Sequence, residues 1–196
     1  MVRFFFSLSL FAATIICSLS ADMGPQGFAA YPNTHFIATG IRQKETIRKA
    51  IRAQFPVIHA LETNPRYLAE SRAIYLKHSE VHIWNKNSAT QLWDVIFRIN
   101  KTITFWLDGR TPVIVPKSGQ NSFLMQELEQ IRRHPIKTHT ILIDDRHVMG
   151  TAHFDGITEQ QIIQKLYEIN PNYTISYDIG GGSGEHPGNV LVASIR

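Results

Sequence analysis

Cysteine is nearly missing from this chain. Cys17 is the single one among 196 residues, and it lies in the apolar N-terminal segment. Once that segment is removed, disulfides, cysteine nucleophiles and thiolate metal sites are excluded. Stability must then come from the core alone. Internal repeats and low-complexity linkers are missing as well. So are two local enzyme signals, because neither G-x-S-x-G nor G-x-G-x-x-G occurs. Those patterns mark serine hydrolases and classical dehydrogenases. Excess charge is also scarce, with a net charge of +4. The densest basic cluster, "IRQKETIRKAIR", is interrupted by Glu45 and has no interleaved aromatic residues. It reads as a solvated helix face and gives no support for a nucleic-acid partner.

What is present begins with an apolar leader. Arg3 precedes the uncharged run "FFFSLSLFAATIIC", and small residues follow, with Ser18 and Ser20 placed for a cut after Ser20. This is the pattern of a secretory signal peptide over residues 1–20. The alternative is an uncleaved anchor, since 4–21 is barely long enough to span a bilayer. Either reading predicts an exported protein, periplasmic, extracellular or in a secretory lumen, that touches the membrane through this segment. A cut after Ser20 removes Arg3 and takes the net charge from +4 to +3. Residues 21–33 read as a linker and 34–196 as one domain.

Within that domain, short β-like runs alternate with helical patterns. The strands are "THFIATG" (34–40), "VIHALE" (57–62), "EVHIWN" (80–85), "TITFWLD" (102–108), "THTILIDD" (138–145), "YTISYDI" (173–179) and "NVLVASI" (189–195). Helical stripes lie between the first six. Ile47, Ala50 and Ile51 share one face, as do Tyr67, Leu68, Ser71, Ile74 and Tyr75. Leu92, Val95, Ile96 and Ile99 mark a single helix over 88–99, and Leu124, Leu128 and Ile131 point inward from 122–134. Asn64 and Pro65 fit a helix start, and Thr158 with Gln161 forms a capping box ahead of Ile162, Ile163, Leu166 and Ile169. This alternation predicts an α/β fold, a doubly wound, mostly parallel seven-stranded sheet with an antiparallel C-terminal strand. "GGGSGEHPG" precedes a strand rather than a helix, so it reads as a turn and not a phosphate loop.

In such sheets ligands bind beyond the carboxyl ends of the strands. Glu62, Asp108 and Asp144 all fall at that rim. Clustered carboxylates repel one another, which points to a hard divalent cation held by Asp108, Asp144 and Asp145. Aspartates that cap or open turns are the competing reading. Glu62 has two readings also: an acceptor for ribose hydroxyls, or an acid favoured by the next helix N-terminus. His35, His59, His82 and His139 read as packing or surface residues. His147 and His153 lie near the rim as candidate bases. The loop "GRTPVIVPKSGQNS" (109–122), with Lys117, follows Asp108 and is expected to shape an acceptor pocket.

The order of these motifs resembles the class I S-adenosylmethionine-dependent methyltransferases over residues 34–196. The "WLDG" and "IDD" strands are similar to those of small methyltransferase-like proteins and of metal-dependent O-methyltransferases. The resemblance implies Mg²⁺ at Asp108, Asp144 and Asp145, with Asp108 and Asp144 catalytic. It implies S-adenosylmethionine at Thr39, Gly40, Glu62, Asn87 and Ser88, and a small-molecule acceptor. It departs at four positions: Ala38 stands for an acid, Lys44 for a second glycine, Asn87 for an aspartate and Arg110 for a histidine. These departures, with the export signal, keep a second expectation open: a non-catalytic exported binding protein on the same fold. A metal-dependent sugar-nucleotide transferase is a third, by analogy of fold alone.

Overall fold

A computed structural model describes residues 27–40, 45–108, 120–178 and 188–195. The leader over 1–20, Lys44, Arg110, Lys117 and most of "GGGSGEHPG" lie outside them.

The strands are β1 (His35–Thr39), β2 (Val57–Glu62), β3 (Val81–Asn85), β4 (Ile103–Leu107), β5 (Thr140–Ile143), β6 (Thr174–Asp178) and β7 (Val190–Ser194). The helices between them are α1 (Glu45–Arg52), α2 (Pro65–Ile74), α3 (Ser88–Gln91), α4 (Trp93–Ile96), α5 (Leu124–Arg133) and α6 (Glu159–Ile169). They build one seven-stranded sheet in the order β3-β2-β1-β4-β5-β7-β6. The first five strands pair in parallel. β7 runs antiparallel to both β5 and β6, and so inserts between them. The chain winds outward from β1 through β2 to β3, and from β4 through β5 on the other side. Strand order therefore reverses between β1 and β4, where such sheets open a crevice at their carboxyl ends.

Both sheet faces are covered, which is why the central strands are mostly apolar. All five residues of β4 are buried. Alternate side chains pass to opposite cores. Phe105 and Leu107 pack with Ile37, Ile141, Leu128 and Leu166 on one face, while Trp106 packs with Phe36, Ala38, Ile47 and Val192 on the other.

The folded unit starts earlier than residue 34. Phe28, in a short 3-10 turn at Gly27–Ala30, is 2% exposed and packs on Phe36 and Trp106. The Tyr31 hydroxyl donates to Asp178 Oδ2 at 2.8 Å, and the Thr104 hydroxyl donates to the Tyr31 carbonyl at 2.7 Å. Residues 27–33 are thus part of the domain rather than a linker.

Several local expectations hold. Asn64 Oδ1 accepts from the Arg66 and Tyr67 N–H groups at the start of α2, and Thr158 with Gln161 completes the capping box of α6. Two do not. The α2 helix ends at Ile74, which is 45% exposed and not part of the inward stripe. The single helix over 88–99 is broken in two at Leu92. Gln130 from α5 is the cause. Its Oε1 accepts from the Trp93 N–H at 2.8 Å, and its Nε2 donates to the carbonyls of Ser88 and Ala89 at 2.7 and 2.8 Å. A side chain inserted into the backbone ladder interrupts it. Leu92, Val95 and Ile96 still point into the core.

Candidate functional site

Four strand ends and one helix meet at the reversal point. A cavity of about 390 Å³, partly open to solvent, is lined by Thr39 and Gly40 after β1, Glu62 after β2, Lys86, Asn87 and Ser88 after β3, and Asp108 after β4, with Phe123 and Glu127 at α5. All five residues expected to hold a cofactor are therefore together.

Each is placed by a local cause. Gly40 has φ +70°, and a Cβ there would stand 3.1 Å from both Cβ and Oδ2 of Asp108. Only glycine combines that conformation with so close an approach. Glu62 takes one of its two expected roles, that of an acid at the next helix N-terminus. Its Oε1 accepts from the Thr63 and Asn64 N–H groups at 2.8 and 2.7 Å, at the N-terminus of α2. Its Oε2 is buried, with no hydrogen-bond partner among the described residues. Asn87 caps α3, accepting from the Ala89 N–H at 2.9 Å. Thr39 is 1% exposed, and its hydroxyl oxygen also lacks a partner.

The most deeply set acid is one the sequence reading passed over. Glu127 is 1% exposed, and its Oε2 has no hydrogen-bond partner among the described residues. Burial pushes its carboxyl up to about 7; the Ser88 and Thr39 hydroxyls beside it pull downward, and the Asp108 charge pushes further up. The Thr39 hydroxyl completes no hydrogen bond with it. The signal was legible: Glu127 lies at i+3 from Leu124, inside the apolar stripe of α5. An unpaired acid on a core-facing stripe is rare without a use.

The double aspartate of "TILIDD" does not line the cavity with Asp108. Asp144 Oδ1 accepts from the Asp145 N–H at 2.7 Å and from Asn189 Nδ2 at 3.2 Å. Asp145 takes the left-handed conformation, φ 62°, that aspartate tolerates in turns. Both acids shape the turn after β5. Among the described residues no group of three His, Cys, Asp or Glu side chains is arranged to hold a metal ion. The expected set of Asp108, Asp144 and Asp145 is thus not assembled: the Asp145 N–H and Asn189 hold Asp144, and Asp145 sits in a left-handed turn. His147 and His153 are not cavity residues either; His147 Nδ1 lies 2.6 Å from Asn189 Oδ1.

The strand histidines pack, as expected. His35, His59 and His82 stack across β1, β2 and β3 with ring centroids 5.7 and 5.2 Å apart. Burial, then the His82 and His35 charges, bring His59 down to about 4.

No family model and no curated protein matches the chain in sequence. Solved structures do match in shape. The N-methyltransferase NodS of Bradyrhizobium japonicum WM9 aligns with a TM-score of 0.56 at 9% identity, over 87% of this chain and 91% of its own. The chain has the class I methyltransferase fold. SMU.1697c of Streptococcus mutans, assigned as a methyltransferase and solved with S-adenosylhomocysteine, aligns at 0.58 and 9% identity over 86% and 93% of the two chains. A Staphylococcus aureus protein assigned as a caffeoyl-CoA O-methyltransferase aligns at 0.52 and 10% over 84% and 77%. Within this methyltransferase fold, Ala38 is buried in the opposite core, beside Phe36 and Trp106. The cavity's acids come instead from Glu62, Asp108 and Glu127.

Proposed function

We propose that this chain binds S-adenosylmethionine in the cavity at the carboxyl ends of β1 to β4 and directs methyl transfer to a small-molecule acceptor. The observation that carries the reading is Glu62 Oε2, a buried acceptor without a partner at the end of β2. A nucleoside diol supplies the two donors such an oxygen lacks. When bound, S-adenosylmethionine supplies an electrophilic methyl group on a sulfonium. The protein's part is positioning: Glu62 holds the hydroxyls, Gly40 lets the backbone approach, and the walls at Leu61 and Phe123 exclude water. The fit is with this donor set and with neighbours that bind S-adenosylhomocysteine.

Calorimetric titration with S-adenosylmethionine and S-adenosylhomocysteine tests the reading. Micromolar binding that weakens about tenfold or more in Glu62→Ala is expected, the cost of one buried charged hydrogen-bond partner. No heat at millimolar ligand sinks it. The same titration with and without Mg²⁺ tests O-methyl transfer assisted by a cation at Asp108. A second reading, a non-catalytic exported binding protein, is favoured by Asp144 being engaged by the Asp145 N–H and Asn189 rather than lining the cavity. Binding without turnover over a panel of catechols, phenols and amines would select it. Export itself is tested by fractionation: protein confined to the cytoplasm with an intact N-terminus argues against a secretory leader.

A further inference from the structure

Thr39, Glu62 and Glu127 are each 3% exposed or less, and each leaves one oxygen at the same cavity without a partner among the described residues. Leaving buried polar atoms unpaired is costly, so the site is built for something that arrives. Its charge balance says what. Glu62 from β2, Asp108 from β4 and Glu127 from α5 all line it. The one basic lining residue among those described is Lys86, after β3, and it pairs with Asp94 at 2.8 Å. Thr39 and Ser88 are uncharged. Glu62 already spends one oxygen on the α2 N-terminus. Among the described residues Glu127 has no basic partner in the cavity.

We propose that Glu127 is the carboxylate that recognises a positive charge on the ligand, so that the cavity selects an adenosine derivative with a cationic side chain over its neutral counterpart. This rests on the nucleoside reading above. Burial and Asp108 favour the protonated form of Glu127 in the free protein. A ligand cation favours the carboxylate. Binding of a cationic ligand near neutral pH therefore releases a proton, and binding of a neutral one does not.

The probes are S-adenosylmethionine, which carries a sulfonium and an ammonium, and 5′-methylthioadenosine, the neutral thioether of the same nucleoside. Both are titrated by calorimetry at pH 6 and pH 8, in two buffers of different ionisation enthalpy. With a carboxyl near 7, S-adenosylmethionine binds about tenfold tighter at pH 8 than at pH 6 and releases protons; methylthioadenosine does neither. Glu127→Gln loses the pH dependence and binds S-adenosylmethionine about tenfold more weakly at pH 8, while its methylthioadenosine affinity stays within about twofold. Glu127→Asp, which keeps the charge, retains the pH dependence. The assignment is overturned if native protein binds both probes with equal pH dependence, or if Glu127→Gln keeps native affinity for S-adenosylmethionine. Those outcomes leave the nucleoside reading standing. If native protein binds neither probe, both fall.

Discussion

Gly40 and Asp108 touch across the point where strand order reverses. A methyl group on Gly40 would lie 3.1 Å from the Asp108 carboxylate, on a backbone with φ +70°. Gly40→Ala therefore combines a left-handed strain of about 1–2 kcal/mol with a steric push on the cavity wall. The melting temperature is expected to fall by about 2–8 °C. Ligand affinity is expected to fall with it, because Asp108 must move. A variant that melts like the native protein would show that the contact relaxes freely.

Gln130 is predicted to be a stability residue despite its polarity. It satisfies one donor and two acceptors at the α3–α4 break. Gln130→Leu keeps the volume but strands all three, at a cost of about 2–4 kcal/mol. Urea unfolding measures it. A cost under about 0.5 kcal/mol would mean that the helix simply closes over the gap.

His139 and His134 predict acid sensitivity. The Ile103 N–H donates to His139 Nδ1 at 3.2 Å and the Ile136 N–H donates to His134 Nδ1 at 3.2 Å. His134 Nε2 then donates to the Ile99 carbonyl at 3.0 Å, and His139 Nε2 donates to His134 Nδ1 at 3.0 Å. Each ring thus accepts at Nδ1 and donates from Nε2. Burial first, then the His134 and Lys137 charges, lower His139 to about 3. Between the unfolded value near 6.5 and 3, the unfolded chain takes a proton that the folded chain refuses. Stability should therefore decline as pH falls below about 6.5. In His139→Gln the decline should be shallower by about one proton, read from unfolding midpoints between pH 4 and 8.

Glu127 predicts the opposite slope. Its folded value is raised to about 7 from 4.5. Its contribution is fully present below the unfolded value and lost as pH rises through the folded one. Glu127→Gln should match the native protein near pH 4 and exceed it by about 3 kcal/mol at pH 8 in the absence of ligand. A variant more stable yet weaker in binding is the signature of a residue kept for function. Equal stability at both pH values would count against a buried charge.

The strands, their order in sequence and the helix caps were legible in the chain. Apolar runs and capping residues act over a few positions, and β4 and the Thr158–Gln161 box needed nothing more. The gathering of Thr39, Gly40, Glu62, Asn87 and Ser88 at one cavity was also legible, since strand ends in this fold share one rim. Three things were decided only by tertiary packing. Gln130 broke a well-patterned helix from 37 positions away. Asn189, brought beside β5 by the insertion of β7, drew Asp144 into a turn instead of the cavity. Glu127 became a cavity acid because α5 docks its apolar stripe under the rim. In each case local propensity sets what a residue prefers, while burial and a partner distant in sequence set what it does.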